Sequence, residues 1–424
     1  MPSVNSFRWK GSDRIYTLPW LKNKLEFTSD PERIQEFAKC PFSRSKFVMT
    51  MISEFHLSQN SIVVSDDDHA IWLKRLSRAH MPKASEMPAI SKDLMDRIFK
   101  PLEGEGAELK MGVHEPIIRE LYRTMLDKML NVEVLPELDN YIAKTRFPPG
   151  HRAMITEGVL LSLRFHTKFF TPIRYTVNRI FFKKVLYMRR LSKKLEGMIV
   201  DHTIPRPGSW YNTLFQLRSS GKLTQEQFDG EITAMLVSSY SVASALGSMI
   251  LSLAARPSYY KKIKEDPSFA KYFVMEVLRL YPPFRQFGYE KILEKDGVRA
   301  KKSDGHEFLL ATWLLQKNPD LWDKPKIFYP ERFLDPKVIT GLKYLPFGMG
   351  KRSCPGRRFS LAIMTESLKY ICSEESGISF SPNEKMPIGR NGRLVSFAID
   401  DVLTYRRAEK AAVEIQELEK IASA

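Results

Sequence analysis

Ten residues, Phe347-Gly-Met-Gly-Lys-Arg-Ser-Cys-Pro-Gly356, constrain this 424-residue chain more than any other stretch, because they set a cysteine at the mouth of a helix between glycines. Cys354 is followed by Pro355 and by the run Arg357-Arg-Phe-Ser-Leu-Ala-Ile-Met-Thr-Glu-Ser-Leu-Lys-Tyr370. That run reads as a long helix entered through a proline, whose missing N–H costs nothing there. The unsatisfied amides and the dipole at such an entry favour an anionic sulfur. Gly350 and Gly356 let backbone come close to a flat macrocycle and take dihedrals closed to residues with a Cβ. Arg352 offers a charge-assisted hydrogen bond to a carboxylate. A thiolate in this setting has the character needed to ligate iron through sulfur. Cys40 and Cys372 have no such neighbours and read as buried free thiols.

Two further segments lie upstream of the cysteine. In Glu276-Val-Leu-Arg279 the acid and the base share one helix face, and Leu280-Tyr-Pro-Pro283 follows; Pro330-Glu-Arg-Phe333 comes later. With these in order, the sequence resembles the cytochrome P-450 superfamily. The signature Phe-x-x-Gly-x-Arg-x-Cys-x-Gly is filled by Phe347, Gly350, Arg352, Cys354 and Gly356, and the resemblance extends from about residue 20 to about residue 400. It implies a mainly α fold with small β-sheets. It also implies haem b (iron protoporphyrin IX) ligated by Cys354, Arg352 on a propionate, and a buried triad of Glu276, Arg279 and Arg332.

Other positions are assigned by the same resemblance. Asp68-His-Ala-Ile-Trp-Leu-Lys-Arg-Leu-Ser-Arg-Ala-His-Met-Pro82 is similar to the family's C helix, where a histidine and a following basic residue hold the propionates. His69 fits the histidine; Leu73 stands where an arginine is usual, with Lys74 or Arg75 as substitutes. Beyond Pro283, the residues Phe284, Arg285, Gln286 and Phe287 would enter the distal pocket. Arg285 would point to a propionate or pair with a substrate carboxylate, since Tyr289 or Glu290 takes the place of a propionate arginine. Gln316 stands where many relatives have histidine.

The stretch from Leu223 to Leu246 is similar to the oxygen-binding I helix but departs from its pattern of Ala-Gly-x-Asp/Glu-Thr. One register puts Ser238 and Ser239 at the Ala-Gly, Ser241 at the acid and Val242 at the threonine; the other puts Tyr240 at the acid and Ser241 at the alcohol. Neither supplies a carboxylic acid to relay protons toward bound dioxygen, so Ser241, a water or the substrate would have to do so. The span from Ile232 to Ala255 carries no charge and is long enough to cross a bilayer, yet its serines and the capped run from Thr224 favour the centre of a large globular domain.

Composition fits that domain. Hydrophobic residues make up 43%, enough for a large core, and no Gly/Ser/Pro linker divides the chain. We expect one catalytic domain over residues 1–400 and a helical extension over 401–424, where Asp401 to Ala424 reads as amphipathic. The first thirteen residues show no apolar anchor, so no membrane anchor is expected, and three cysteines without a disulfide framework suit a reducing cytoplasm. The net charge of +17 comes from scattered lysines and arginines without a nucleic-acid module, so no nucleic acid partner is expected. Long helices are expected within residues 85 to 280 and 357 to 372, with extended runs at Ser61-Ile-Val-Val64 and Phe308-Leu-Leu310.

The resemblance implies a monooxygenase or oxidase acting on a hydrophobic small molecule. Its electrons would come from an acidic partner, ferredoxin-like or flavodoxin-like, docked near Lys343, Lys351, Arg357 and Arg358. The missing acid-alcohol pair leaves open a peroxide-driven or non-redox haem-thiolate enzyme, such as a hydroperoxide isomerase or dehydratase. A catalytically silent relative supporting a partner enzyme is the third reading.

Overall fold

The computed structural model describes residues 14–17, 24–39, 42–44, 67–100, 107–145, 190, 193–195, 197–284, 287–295, 298–381 and 402–407. The α-helices longer than a single turn are α1 (Pro31–Lys39), α2 (Asp67–Ala79), α3 (Met87–Ile98), α4 (His114–Thr124), α5 (Pro136–Lys144) and α6 (Trp210–Ser219). They continue with α7 (Gln225–Ala254), α8 (Pro257–Glu265), α9 (Ala270–Leu280) and α10 (Arg357–Cys372). The strands are β1 (Arg14–Thr17), β2 (Lys24–Thr28), β3 (Phe42–Arg44), β4 (Leu109–Gly112) and β5 (Val132–Val134). After them come β6 (Thr203–Pro205), β7 (Phe287–Lys295), β8 (Val298–Leu310), β9 (Ile378–Phe380) and β10 (Val402–Arg407). The expected helical run from 85 to 280 is therefore interrupted by short strands, and Ser61–Val64 lies outside the described residues.

Helix α7 is the axis of the helical body. It starts at a capping box: Gln227 N donates to Thr224 Oγ1 at 3.1 Å, and Thr224 N donates to Gln227 Oε1 at 2.9 Å. Its uncharged length is explained by its neighbours, because α4, α6, α8, α9 and α10 all pack on it and bury Leu246, Met249, Ile250 and Leu253. Among the described residues no single helix is long and apolar enough to cross a membrane. One bent pair, Ser238–Ala254 with Pro257–Glu265 at 100°, passes by length and composition, but its first arm is largely core.

Among the described residues the strands form a sheet in the order β1-β2-β8-β7-β3, a second in the order β4-β10-β9, and the pair β5-β6. The first holds a smaller core in which Ile34, Phe37, Tyr289, Phe308, Leu310, Leu315, Leu345 and Met349 meet. This core lies directly beneath the segment that leads to Cys354.

The second sheet corrects the expectation of a helix from residue 401. Val402-Leu-Thr-Tyr-Arg-Arg407 is strand β10, antiparallel to both β4 and β9. Leu403, Tyr405 and Arg407 are buried while Arg406 is exposed, an alternation of period two that the broader helix-like pattern of the last 24 residues obscured. The body thus continues past residue 400, and residues 408–424 lie outside the described ones.

Arg407 fixes this strand to the helices. Its guanidinium donates to Asp96 Oδ1, to Phe99 O and, at 3.1 Å, to Ser376 O, while Tyr370 Oη donates to the same Asp96 oxygen at 2.5 Å. Burial alone would raise the Asp96 pKa, but the hydrogen bonds from Tyr370 and Arg407 overcome it and hold the carboxyl below its ordinary value. A depressed carboxylate contributes stability that is present above its unfolded-state pKa and lost as pH falls through the folded-state value. Asp96→Asn is expected to lower the unfolding midpoint at neutral pH, with the gap to wild type closing in acid. Thermal scans across pH check this, and a gap independent of pH would count against it.

Candidate functional site

Helix α10 fixes where the sulfur sits. Gly356 is its N-cap, Ser360 N donates to Gly356 O at 2.8 Å, and Cys354 lies half-buried just before it. The amides of the first turn therefore have no carbonyl within the helix to receive them and lie close to the thiol. The loop folds back on itself: Cys354 N donates to Phe347 O at 2.9 Å, Gly348 N to Leu345 O at 3.1 Å and Ser353 N to Gly350 O at 3.1 Å. Phe347 and Cys354 are thereby tied across the turn.

Gly348 and Gly350 take φ of 72° and 57°, in the left-handed region. At Gly348 space forbids a side chain as well, since a Cβ there would lie 2.8 Å from Tyr289 Oη. That hydroxyl accepts from Met349 N at 3.1 Å, so fully buried Tyr289 on β7 props the loop from below. Gln316, also fully buried, gives Nε2 to Leu278 O and Arg279 O at 3.1 Å each and takes Leu345 N on Oε1 at 3.1 Å. One amide side chain joins the end of α9 to the start of the cysteine segment. Neither role could be read locally, because the partners lie 29 to 60 residues away.

The candidate triad is brought together. Arg279 meets Glu276 through two bonds of 2.7 Å, Nε to Oε2 and Nη2 to Oε1, and Arg332 Nε lies 3.2 Å from Glu276 Oε2. Glu276 and Arg279 are fully buried and Arg332 nearly so. Two cations face one carboxylate, and backbone carbonyls take up the rest. Arg279 donates to Gln316 O and Pro325 O at 2.7 Å, and Arg332 donates to Asp323 O at 2.7 Å.

The other candidates divide. Lys74 is buried and its Nζ donates to Ser353 O, whereas its neighbour Arg75 is exposed, so only Lys74 is brought to the cysteine loop. His69 lies on α2, Arg352 is buried, and Arg285 and Gln286 lie outside the described residues. On α7, Ser241 Oγ donates to Ser238 O at 2.8 Å, Val242 is buried, and the Tyr240 ring lies 6.0 Å from that of His114. Buried His114 was not foreseen from sequence, where it looks like any helix-start residue. Arg357 and Arg358 are exposed at the start of α10, and the side chain of Lys351 is outside the described residues.

The residues present fit a haem. Among the described residues no group of three or more His, Cys, Asp or Glu side chains could hold a metal ion. One sulfur at a helix entry suits a metal whose remaining in-plane positions are filled by a macrocycle. A Cβ at Gly356 would lie 3.8 Å from Cys354 Sγ, so the glycine keeps the approach to the sulfur uncrowded, and buried Arg352 and Lys74 place cations at the loop.

The family model for cytochrome P-450 matches residues 161–371. A six-coordinated cytochrome P-450 from Thermus thermophilus has the same fold, with a TM-score of 0.61 at 20% identity over 93% of this chain and 94% of that one. The chain belongs to the cytochrome P-450 superfamily. Among relatives of this P-450, (+)-menthofuran synthase of Mentha piperita is 25% identical over 216 residues, 44% of each chain. Dimethylnonatriene synthase of Arabidopsis thaliana is 38% identical over 97 residues, 22% of this chain and 18% of that protein. The P-450 chain spans about half or less of the length of the curated relatives it matches.

Proposed function

We propose that this chain is a haem-thiolate monooxygenase that oxidises a hydrophobic small molecule, using haem b and electrons from an acidic partner protein. The observation that carries the reading is the Cys354 loop, closed by the Cys354 N to Phe347 O bond, propped by Tyr289 and set at the entry of α10. When bound, haem supplies the one-electron and oxygen chemistry that no side chain of this protein can perform. Cys354 would hold its iron, Arg352 would face a propionate, and α7 would carry the groups nearest the reacting oxygen. The names of the relatives agree, since dimethylnonatriene is by its name a hydrocarbon. Exposed Arg357 and Arg358 beside the sulfur give an acidic donor a place to dock.

One observation favours a second reading, a peroxide-driven or non-redox enzyme. Ser241 Oγ gives its proton to Ser238 O, and neither register of α7 offers a carboxylic acid to replenish it. In the leading reading Ser241 would have to release that carbonyl and pass a proton through water. Turnover under isotopically labelled dioxygen with a ferredoxin system, set beside turnover with hydrogen peroxide or a lipid hydroperoxide alone, separates the two. Label in the product that requires the electron donor is the result expected. Product formed only from peroxide would replace it with the second reading.

A further inference from the structure

Lys74 is a buried ammonium at 8% exposure whose Nζ donates to the carbonyl of Ser353, 279 residues away. We propose that Lys74 is a positioning residue for the sulfur ligand, acting through the peptide bond that precedes Cys354 and not through a haem propionate. The inference rests on the haem-thiolate reading above.

The Ser353 carbonyl belongs to the same amide as Cys354 N, and that N–H donates to Phe347 O at 2.9 Å. A cation on the oxygen draws electron density from the amide and strengthens its N–H as a donor, so the two hydrogen bonds reinforce each other. Together they fix the peptide from both ends and hold the Cys354 side chain at one angle to α10. The connection is between elements: α2 carries the lysine, and the loop before α10 carries the carbonyl. Burying an ammonium is costly unless acceptors compensate it, and the Ser353 carbonyl is one such acceptor.

Its charge has a second consequence. In a medium of reduced dielectric, a fixed cation within one peptide of the sulfur favours whichever oxidation state carries more negative charge. One-electron reduction of a thiolate-ligated haem adds one negative charge to the centre, so Lys74 raises the reduction potential. Partners outside the ligand itself are a recognised means of tuning a haem.

The test uses the purified haem-containing protein and three variants: Lys74→Met removes bond and charge, Lys74→Gln keeps a donor without the charge, and Lys74→Arg keeps both. Haem loss to an excess of a haem-free acceptor protein and the midpoint potential are measured for each. The measurements are repeated after reconstitution with haem dimethyl ester, whose propionates cannot accept an ion pair. Lys74→Met is expected to lose haem about tenfold to a hundredfold faster and to have a lower potential, with both differences persisting in the ester. Lys74→Gln should retain haem better than Lys74→Met while still showing the lower potential, and Lys74→Arg should resemble wild type. Potentials unchanged in both Lys74→Met and Lys74→Gln would overturn the proposal, as would differences that disappear with the ester. If Lys74→Met does not fold, Lys74→Gln alone carries the test. Wild-type protein without a sulfur-ligated Soret spectrum would instead overturn the haem-thiolate reading itself.

Discussion

Glutamine in place of Glu276 is expected to cost about 3–5 kcal/mol of folding stability, the usual penalty for leaving a buried charge without its partner. The substitution keeps the volume and removes the carboxylate that faces both Arg279 and Arg332. Both guanidiniums would remain out of water with backbone carbonyls and the Trp322 ring, 5.1 Å from Arg279, as their remaining partners. The amide keeps one oxygen, so where it takes the place of Oε1 the 2.8 Å bond from Tyr329 N survives, and the NH2 group is turned against the Arg279 and Arg332 donors that Oε2 now faces. Since α9 and the Pro330–Leu334 segment are pinned through this carboxylate, unfolding should begin there and reach the cysteine loop through Gln316. Urea unfolding of the variant checks the figure. Glu331→Gln is the comparison, because its partner Lys262 is well exposed and a pair of that kind contributes about 0–1 kcal/mol. Equal losses in the two variants would show that burial does not decide the energetics of the triad.

Serine at position 354 is expected to abolish the thiolate signature in the reduced, carbon monoxide-bound spectrum. It should also lower donor-dependent turnover by more than the roughly hundredfold typical of losing an outer-sphere partner. The change is small in volume and leaves the backbone bonds of the loop in place, so the fold should survive. Cys372→Ser is the internal control. Burial pushes the Cys372 thiol up to about 12, and it sits at the opposite end of α10 from Cys354, so its replacement should leave the Soret band unchanged. A Soret band unchanged in Cys354→Ser would remove the basis for assigning iron to this sulfur.

The parts of the site legible in the sequence are those whose residues are close along the chain. Gly350, the sulfur at 354 and a helix beginning at Arg357 all belong to one turn, so backbone conformation and the helix dipole could be argued from spacing; the special dihedral expected at Gly356 is not found, since its φ of −80° is open to any residue. Glu276 and Arg279 share a face of α9 for the same reason, and the family pattern added Arg332. Tyr289 under Gly348, Gln316 between α9 and Leu345, and Lys74 on Ser353 were not readable as contacts, because each depends on tertiary approach of distant segments. The choice between Lys74 and Arg75 is an example: both are basic, and only the rotation of α2 against the loop buries one and exposes the other. The misread strand at Val402–Arg407 has a different cause. Its period-two alternation runs for only six residues and is followed by Glu-, Lys- and Ala-rich sequence with a helical pattern, although valine, threonine and tyrosine favour extended backbone.

That strand has a consequence for how the protein is made. Gly112 pairs with Val402, 290 residues later, so β4 cannot find its neighbour until that intervening chain has left the ribosome. At roughly 5–20 residues per second this is a wait of roughly 15–60 seconds, during which α3 and α4 can form but Asp96 has no Arg407 to bind. Non-local closure of this kind slows folding and leaves an unpaired edge in the nascent chain. A chaperone that shields the edge of β4 during synthesis would raise the yield of protein without altering its final stability.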